Sequence, residues 1–435
     1  MDHGCTEGTG FPIIPLVMPR PLVFGNQKLL SALDARGRVR DLYFPRPGFA
    51  NHIGGRAVAW GVYLEGRMFW SDQPDWTISM SYDKDSLVGR MTLQNDICGI
   101  RLETEESCHP DKPWIVRTVK VTNLRPRPRD LTLYFNHELW LDESPVGNTA
   151  VYLPHQGSML HYKRTSCVGF ALRGPMGMPS QWGTGVRTKP TEGSWRGAES
   201  GQLSMTGRDV GMPDSTLGVH IHLLPLGADE AKWMLAAGHS TVEVERSLDD
   251  LLTLSPSEFH KSNGRSDQEW LESLELAPLS FLSERAAQTA RTSLLLIRTQ
   301  ITLEGAVIAG NDSDCMAGGN TLNYSNVWPR DGALVAEALL QAGARDLSED
   351  WVAWCVRYLP ESGRFVQKYW ADGTLGVSWH PYWLNGRVVE PIQIDETALS
   401  LWTAVRYVQS VLNQGGSVPE ELLDWLVRPA EGCLT

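Results

Sequence analysis

The chain has 435 residues, of which 42% are apolar and 21% charged, and its formal net charge is −12 at pH 7. This length exceeds one ordinary hydrophobic core, so two or three domains are expected. The acidic balance argues against a nucleic-acid partner, because neutralising phosphates requires clustered Lys and Arg.

The cysteines and the N-terminus bear on the cellular compartment. The chain has seven cysteines, an odd number, and no Cys-x-x-Cys motif, which favours free thiols in a reducing compartment. The N-terminal extension, 1–20, begins acidic and its apolar run is broken by prolines, unlike a signal peptide. No window approaches the roughly 18 continuous apolar residues of a membrane span. We therefore expect a cytoplasmic protein without a membrane partner, and nothing indicates a metal or a cofactor.

Residues 21–254 alternate between apolar and polar. In "DLTLYFNHEL" (130–139) Leu131, Leu133 and Phe135 share one face, and "TLGVHIHLL" (216–224) repeats the pattern. A period of two predicts half-buried strands. Many short strands without intervening helices predict an antiparallel sandwich.

His220 and His222 project from the polar side of one such strand. A metal site would need a third and a fourth ligand, and the sequence offers no candidate. These two histidines are therefore interpreted as solvated surface residues.

The pattern changes after residue 254. Residues 255–282 are polar and proline-bearing, which suits a linker with a short helix, and the period is helical from 283 to 435. Five helices are expected there: one after the capping residue Ser283, one from about Asp331 to Ala342 that stops at Gly343, and three in "LSEDWVAWCVRYL" (347–359), "ETALSLWTAVRYVQSVL" (396–412) and "VPEELLDWLV" (418–427). Trp402, Val408 and Leu412 are expected to line one apolar face of the fourth helix, and the tail "RPAEGCLT" is expected to leave the helical pattern.

Two long loops among these helices carry aromatic and charged residues together. The loop 304–330 ends in "NYSNVWPRDG", and the segment 363–395 holds Lys368 and a group of rings that includes Trp379, His380 and Tyr382. Long loops in compact domains are often functional. Aromatic rings suit the C–H faces of sugars, and Arg and carboxylate groups suit their hydroxyls, so a saccharide site is predicted.

A purely structural interpretation stands beside this one. Asp331 could cap its helix and pair with Arg330, while Asp395 caps the helix that it begins and Glu396 interacts favourably with the helix dipole. The residues alone leave both interpretations open.

The segments "NYSNVWPRDGALVAEALLQAG", "GRFVQKYWADGTLGVSWHPY" and "PIQIDETALSLW" resemble glycoside hydrolase family 15 in order and spacing. The resemblance runs from about Pro21 to Leu426. It implies an α+β multidomain protein with an N-terminal antiparallel β-supersandwich (21–254), a linker (255–282) and the first part of an (α/α)6 toroid (283–435), with about five of twelve helices present. It also implies inverting exo-hydrolysis of α-glucosidic bonds, of the glucoamylase type, with an α-glucan or another α-linked glucosaccharide as partner.

The resemblance also assigns substrate-binding residues. Trp328, Arg330 and Asp331 match the family's clamp for the non-reducing-end sugar, Tyr324 matches an aromatic residue of the same pocket, and Lys368 matches a further sugar contact.

The chain departs from the family in its catalytic carboxylates. Inversion requires two carboxyl groups about 6.5–9.5 Å apart, and the family carries its acid in a Trp-Glu-Glu-like segment and its base near the last helices. This chain contains no Trp-Glu-Glu, and Asp331, Asp395 and Glu396 are not expected to substitute. We therefore expect a truncated, inactive family member with no catalytic residue. The alternatives are a non-catalytic sugar-binding remnant or pseudoenzyme, and a sugar phosphorylase of the same architecture.

Overall fold

A computed structural model describes residues 20–189, 191–311, 324–376 and 383–434. Almost all of the expected N-terminal extension, and the three aromatic residues Trp379, His380 and Tyr382, lie outside the described residues.

The N-terminal half consists mainly of antiparallel strands. They are β1 (Leu22–Gly25), β2 (Leu30–Leu33), β3 (Val39–Tyr43), β4 (Val58–Leu64), β5 (Arg67–Trp70), β6 (Thr77–Tyr82), β7 (Gly89–Asn95), β8 (Ile100–Cys108), β9 (Trp114–Asn123), β10 (Arg129–Glu138), β11 (Asn148–Leu153), β12 (Ser158–Lys163), β13 (Ser166–Arg173), β14 (Gln181–Val186), β15 (Arg208–Gly211), β16 (Pro213–Leu223) and β17 (Ala228–Gly238). One sheet of eight strands has the order β1-β2-β3-β4-β10-β16-β14, with β5 beside β4. A second sheet of nine strands has the order β15-β11-β12-β13-β17-β9-β8-β7-β6.

The two sheets share one apolar core. Leu133 and Phe135 of β10 and Val219 of β16 pack there with Val119 of β9 and Leu235 of β17. The predicted antiparallel strands and their inward faces are therefore confirmed.

The other side of β10 is not solvated, contrary to the prediction. Tyr134 and Asn136 are buried, because a short helix and Leu203 cover this side of the sheet. His220 and His222 of β16 are exposed as predicted, and both contact the carboxylate of Asp130.

Eight α-helices lie in the described ranges. They are α1 (Trp195–Ser200), α2 (Thr241–Thr253), α3 (Pro256–Glu272), α4 (Glu284–Thr299), α5 (Pro329–Gln341), α6 (Arg345–Tyr358), α7 (Ile394–Asn413) and α8 (Glu420–Leu434). Short 3-10 helices occupy Leu141–Glu143 and Ala277–Phe281. The strands β18 (Trp383–Leu384) and β19 (Arg387–Val388) form a hairpin with a two-residue turn.

Two of these helices contradict the expectation that no helix precedes residue 255. The helix α1 is the one that covers β10. The helix α2 buries Val244, Leu248 and Leu251 against the outer face of the nine-stranded sheet. These three positions follow helical spacing, a signal obscured by the acidic residues between them.

The segment 255–282, predicted as a linker with a short helix, contains the 17-residue helix α3. The helix α3 packs on β8 and β9, where His260 shares hydrogen bonds with Ser107 Oγ at 2.8 Å and Thr118 Oγ1 at 3.2 Å. The domain boundaries at 20/21, 254/255 and 282/283 remain predictions.

The helices α4 and α5 begin and end with the expected signals. Ser283 caps α4 by accepting a hydrogen bond from the Ala286 N–H at 3.3 Å. Gly343, with φ of 88°, follows α5, and its N–H donates to Leu340 O while the Ala344 N–H donates to Leu339 O. This pair of bonds is a Schellman motif, so the predicted helix stop at Gly343 is confirmed.

The apolar face predicted for α7 is buried only in part: Val408 is buried, whereas two other residues of that face are exposed. Trp402 and Leu412 are 44% and 54% exposed. The buried side of α7 also carries hydroxyls: Thr403 donates to Ala333 O of α5 at 3.0 Å, and Ser400 donates to Glu396 O of its own helix at 2.7 Å, with Pro329 O of α5 at 3.4 Å. Small polar side chains permit this close approach of α7 to α5.

The C-terminal tail was also predicted wrongly. The helix α8 continues to Leu434 with Pro429 inside it. Leu422, Trp425, Pro429 and Gly432 form one buried stripe, and Gly432 packs so closely on Gly363 that a Cβ atom there would meet the Gly363 oxygen at 2.3 Å.

The helices form a core of their own and also contact the sandwich. The helix α5 lies against α6 and α7, and α7 lies against α8. At the junction with the sandwich, Tyr43 of β3 packs in an apolar cluster with Ile308 and Leu296. The Tyr43 hydroxyl also shares a hydrogen bond of 2.5 Å with Ser325 Oγ, so the sandwich contacts the loop that precedes α5.

None of the helices in the described ranges combines the length and the apolar character that crossing a bilayer requires. The cysteines in these ranges are free thiols, at Cys98, Cys108, Cys167, Cys355 and Cys433.

Candidate functional site

The site lies where the N-termini of α5 and α7 meet. Trp328 occupies the N-cap position of α5 with extended backbone angles (φ −98°, ψ 116°), and Pro329 follows in the first turn. Proline suits this position because its missing N–H would have no partner inside the helix. The N-cap residue makes no side-chain capping bond, and Asp331 lies inside the first turn rather than at the N-cap position, so it does not have the N-cap role considered for it.

Arg330 holds the two helix starts together. Its guanidinium lies 2.9 Å from Asp395 Oδ2 of α7 and 3.2 Å from Asp331 Oδ2, and Gln393 Oε1 is at 3.5 Å. The side chains of Arg330, Asp331 and Asp395 are 33%, 44% and 48% exposed. The cluster is therefore an ion-pair network whose outer edges still face solvent.

Asp395 does not cap α7. Gln393 occupies the N-cap position and makes no side-chain capping bond. The carboxylate of Asp395 points to Arg330 instead, because a charged partner lies within direct contact there.

Glu396 is the buried member of the cluster. Its side chain is 0% exposed, its Oε2 accepts the backbone N–H of Arg330 at 2.5 Å, and its Oε1 lies 3.5 Å from the Arg330 guanidinium. Burial raises the pKa of this carboxyl to about 8 against the opposing effect of Arg330, and Asp331 and Asp395 add to the rise. Glu396 thus links the first turn of α5 directly to α7.

The aromatic part of the site is centred on Trp328. Tyr324, 36% exposed, tilts by 32° against Trp328 with ring centroids 5.4 Å apart. The Lys368 ammonium lies 5.0 Å from the centroid of the Trp328 ring. Lys368 is buried, and this burial lowers its pKa.

Backbone pairing fixes the segment that carries Lys368. Val327 and Tyr369 exchange hydrogen bonds of 2.8 and 2.9 Å. The structure therefore brings both Tyr324 and Lys368 to the Trp328 ring, which immediately precedes the first turn of α5 that carries Arg330 and Asp331.

Sequence reasoning did not assign Glu396, Asp395 and Gln393 to the site. The available signal was "PIQIDET", where two acidic residues follow a glutamine at a helix start. In the described ranges, no group of three or more His, Cys, Asp or Glu side chains could hold a metal ion.

No family model matches the chain. An uncharacterized glycosyl hydrolase of Methanocaldococcus jannaschii is 22% identical over 372 residues, which cover 81% of this chain and 55% of that protein. The chain thus spans about half the length of the curated relative it matches.

Two solved structures share the fold. A bacterial glucoamylase crystallised with acarbose has a TM-score of 0.75 at 17% identity, over 95% of this chain and 57% of that chain. A human-microbiome protein assigned provisionally as a kojibiose phosphorylase has a TM-score of 0.60 at 9% identity, over 96% of this chain and 57% of that chain. The chain therefore has a fold that occurs in carbohydrate-active proteins.

Proposed function

We propose that the cluster around Trp328 and Arg330 binds the terminal glucosyl unit of an α-linked glucosaccharide, as in glucoamylase-type members of glycoside hydrolase family 15. The single observation that carries this proposal is the partly exposed guanidinium of Arg330, held between Asp331 and Asp395, next in the chain to the Tyr324–Trp328 ring pair. Opposed charges of this kind can donate to and accept from neighbouring sugar hydroxyls, and the rings can cover C–H surface.

The proposed architecture follows the same resemblance. Residues 21–254 would form a β-supersandwich, 255–282 a linker, and 283–435 the first helices of an (α/α)6 toroid. A cytoplasmic location is part of the proposal and rests on the sequence features given above.

We further propose that this chain by itself binds the sugar without hydrolysing it. Glu396 has the raised pKa of a general acid, but its side chain is fully buried and its Oε2 is occupied by the Arg330 N–H. A general acid must come within hydrogen-bond reach of the leaving oxygen. Glu396 is therefore assigned a positioning role.

The test is whether acarbose or maltose binds the full chain saturably, as measured by NMR titration. Asp331→Asn removes one charged partner of a sugar hydroxyl and is expected to weaken binding by about 10-fold, the equivalent of about 1.4 kcal/mol. Asp346→Asn is the matched control, because Asp346 is an exposed acidic residue in the first turn of α6. Equal weakening by both variants, or no saturable binding by the wild type, would contradict the proposal.

A second candidate is a sugar phosphorylase, favoured by the likeness to the provisionally assigned kojibiose phosphorylase. Incubation with kojibiose or maltose, with and without inorganic phosphate, separates the two functions. Formation of glucose 1-phosphate that depends on added phosphate would favour the phosphorylase.

A further inference from the structure

A separate cavity of about 300 Å³ opens on the outer face of the eight-stranded sheet, between β3, β4, β10 and α1. Ala59 of β4 and Asn136 of β10, which are paired in register, lie in its floor. The cavity has the small side chain of Ala59 in its lining, among long arginine and glutamate side chains. It shares no residue with the Trp328–Arg330 cluster.

The rim of the cavity is rich in arginine. Four arginines line it against three carboxylates: Arg38, Arg40, Arg56 and Arg187 with Asp72, Glu138 and Glu199. Arg38 is neutralised by Asp34 and Asp72, at 2.8 and 2.7 Å.

Arg56 and Arg187 share a single carboxylate. The Arg56 Nε atom lies 3.5 Å from Glu138 Oε1, and the Arg187 guanidinium contacts Glu138 Oε2. Each guanidinium offers five N–H donors in a planar fork, so one carboxylate cannot use them all. The pair keeps an excess of positive charge and of donors at the rim.

The aromatic residues of the cavity do not offer a clear platform for a sugar. Trp70 is only 8% exposed. The guanidiniums of Arg187 and Arg196 lie 5.4 and 5.2 Å from the Trp195 ring centroid, and the Trp195 indole N–H donates to Glu192 O at 2.7 Å. Recognition in this cavity would therefore depend on charge and hydrogen bonds rather than on stacking.

We propose that this cavity binds a monosaccharide-sized molecule that carries a phosphate or carboxylate group. Arg56 and Arg187 would contact the anionic group, because planar guanidinium forks match the oxygens of both groups. The volume of about 300 Å³ lies at the lower end for small-molecule sites, and it leaves room for a sugar ring above Ala59.

The test is calorimetric titration of the full chain with glucose 6-phosphate, glucuronate, inorganic phosphate and glucose. Saturable binding is expected for glucose 6-phosphate or glucuronate, and the comparison of these two identifies the anionic group. Glucose is expected not to bind in this cavity, and inorganic phosphate is expected to bind more weakly than the better sugar anion. Equal affinity for inorganic phosphate would overturn the assignment to a sugar-sized ligand.

Two substitutions tie the binding to the cavity. Arg187→Gln is expected to weaken it about 10-fold through the loss of a charge-assisted pair, whereas Arg196→Gln, which removes a neighbouring arginine outside the lining, should leave it unchanged. Ala59→Leu keeps every charge and fills the floor of the cavity, so it should block binding. This variant provides the test if Arg187→Gln does not fold. Full binding by Ala59→Leu, equal losses from both arginine variants, or no saturable binding of either sugar anion would overturn the proposal.

Discussion

Glu396 is a carboxyl that the fold keeps protonated near neutral pH. The folded protein holds its proton up to about pH 8, whereas an ordinary glutamate releases it near pH 4.5. Between these values the folded state binds more protons than the unfolded chain, so the contribution of Glu396 to stability is greatest at low pH and decreases as pH rises towards 8.

Glu396→Gln is therefore expected to be pH-dependent in its effect. The free energy of unfolding of the variant minus that of the wild type should increase by on the order of 2 kcal/mol between pH 5 and pH 8. The measurement is urea denaturation at both pH values. Glu396→Asp retains an ionisable carboxyl but shortens its reach to the Arg330 N–H, so it should destabilise at both pH values. A difference between wild type and Glu396→Gln that does not change with pH would contradict the protonated carboxyl.

His161 has the opposite pH dependence. It is buried between the two sheets, its Nε2 shares a hydrogen bond of 2.7 Å with Ser215 Oγ, and burial lowers its pKa from 6.5 to about 3. The unfolded chain takes up a proton below about pH 6.5 that the folded protein does not accept. The contribution of His161 to stability is therefore present above that pH and is lost as pH falls towards 3.

We expect His161→Phe to remove this part of the acid sensitivity. Between pH 7 and pH 5 the wild type should lose more free energy of unfolding than the variant, by on the order of 1–2 kcal/mol. The measurement is urea denaturation at both pH values, and parallel losses in the two proteins would show that His161 does not titrate in this way.

At the scale of single elements, helix packing explains why "WPRDG" ends in a glycine, Gly332. It lies in α5, where a Cβ atom would stand 2.3 Å from the Trp351 ring of α6. The helix therefore needs glycine for close packing against a buried tryptophan, while its backbone angles are ordinary.

Gly332→Ala is expected to destabilise the protein by about 1–3 kcal/mol, the usual cost of overpacking a core, as measured by thermal or urea unfolding. Gly264→Ala in α3 is the matched control, because its Cβ would find Ser86 Oγ at 3.3 Å as its nearest neighbour. Alanine favours a helix over glycine by about 1 kcal/mol, so the control should be neutral or stabilising. Equal destabilisation in both would contradict the role given to Trp351.

Elements with a local signal could be predicted from the sequence, and elements defined by their partners could not. The alternation of β10 and β16, the Ser283 cap and the Gly343 stop are all encoded within a few residues. The buried face of α7 depends on hydroxyl bonds to α5, and the length of α8 depends on contact with Gly363.

The candidate site shows the same division. Trp328, Arg330 and Asp331 are adjacent in the chain and could be selected together, although their sugar-binding role remains a prediction. Glu396 contacts Arg330 across 66 residues. Its burial arises only when the N-termini of α5 and α7 pack together, and the hydrophobic periodicity of the sequence does not indicate which helix ends will be in contact.

At the scale of the whole molecule, the sandwich supports the loop that carries Tyr324. Tyr43 is fully buried, and its hydroxyl contacts Ser325 Oγ at 2.5 Å and Asn311 O at 3.3 Å. A residue of β3 thus holds both sides of the loop beside the site.

Tyr43→Phe should therefore weaken acarbose or maltose binding several-fold, a loss of about 1 kcal/mol for one buried hydrogen bond, although Tyr43 is not among the proposed sugar contacts. Tyr82→Phe is the matched control, because the Tyr82 hydroxyl bonds Val23 within the sandwich. The measurement is NMR titration of both variants with acarbose or maltose, which compares their affinities. Unchanged affinity in Tyr43→Phe, or an equal loss in both, would show that the sandwich does not set the loop.

The junction between the sandwich and the helices also limits how such proteins can be recombined. Leu87 of the sandwich packs in one apolar cluster with Leu271 of α3 and Leu295 of α4, and the Leu87 N–H donates to Asp267 Oδ2 of α3 at 2.8 Å. A chimera that joined this sandwich to the helices of a distant relative would place unrelated side chains on either side of that cluster. A transplantable unit would have to carry α3, α4 and the Tyr43 contact with it, so the exchangeable module is larger than the sandwich alone.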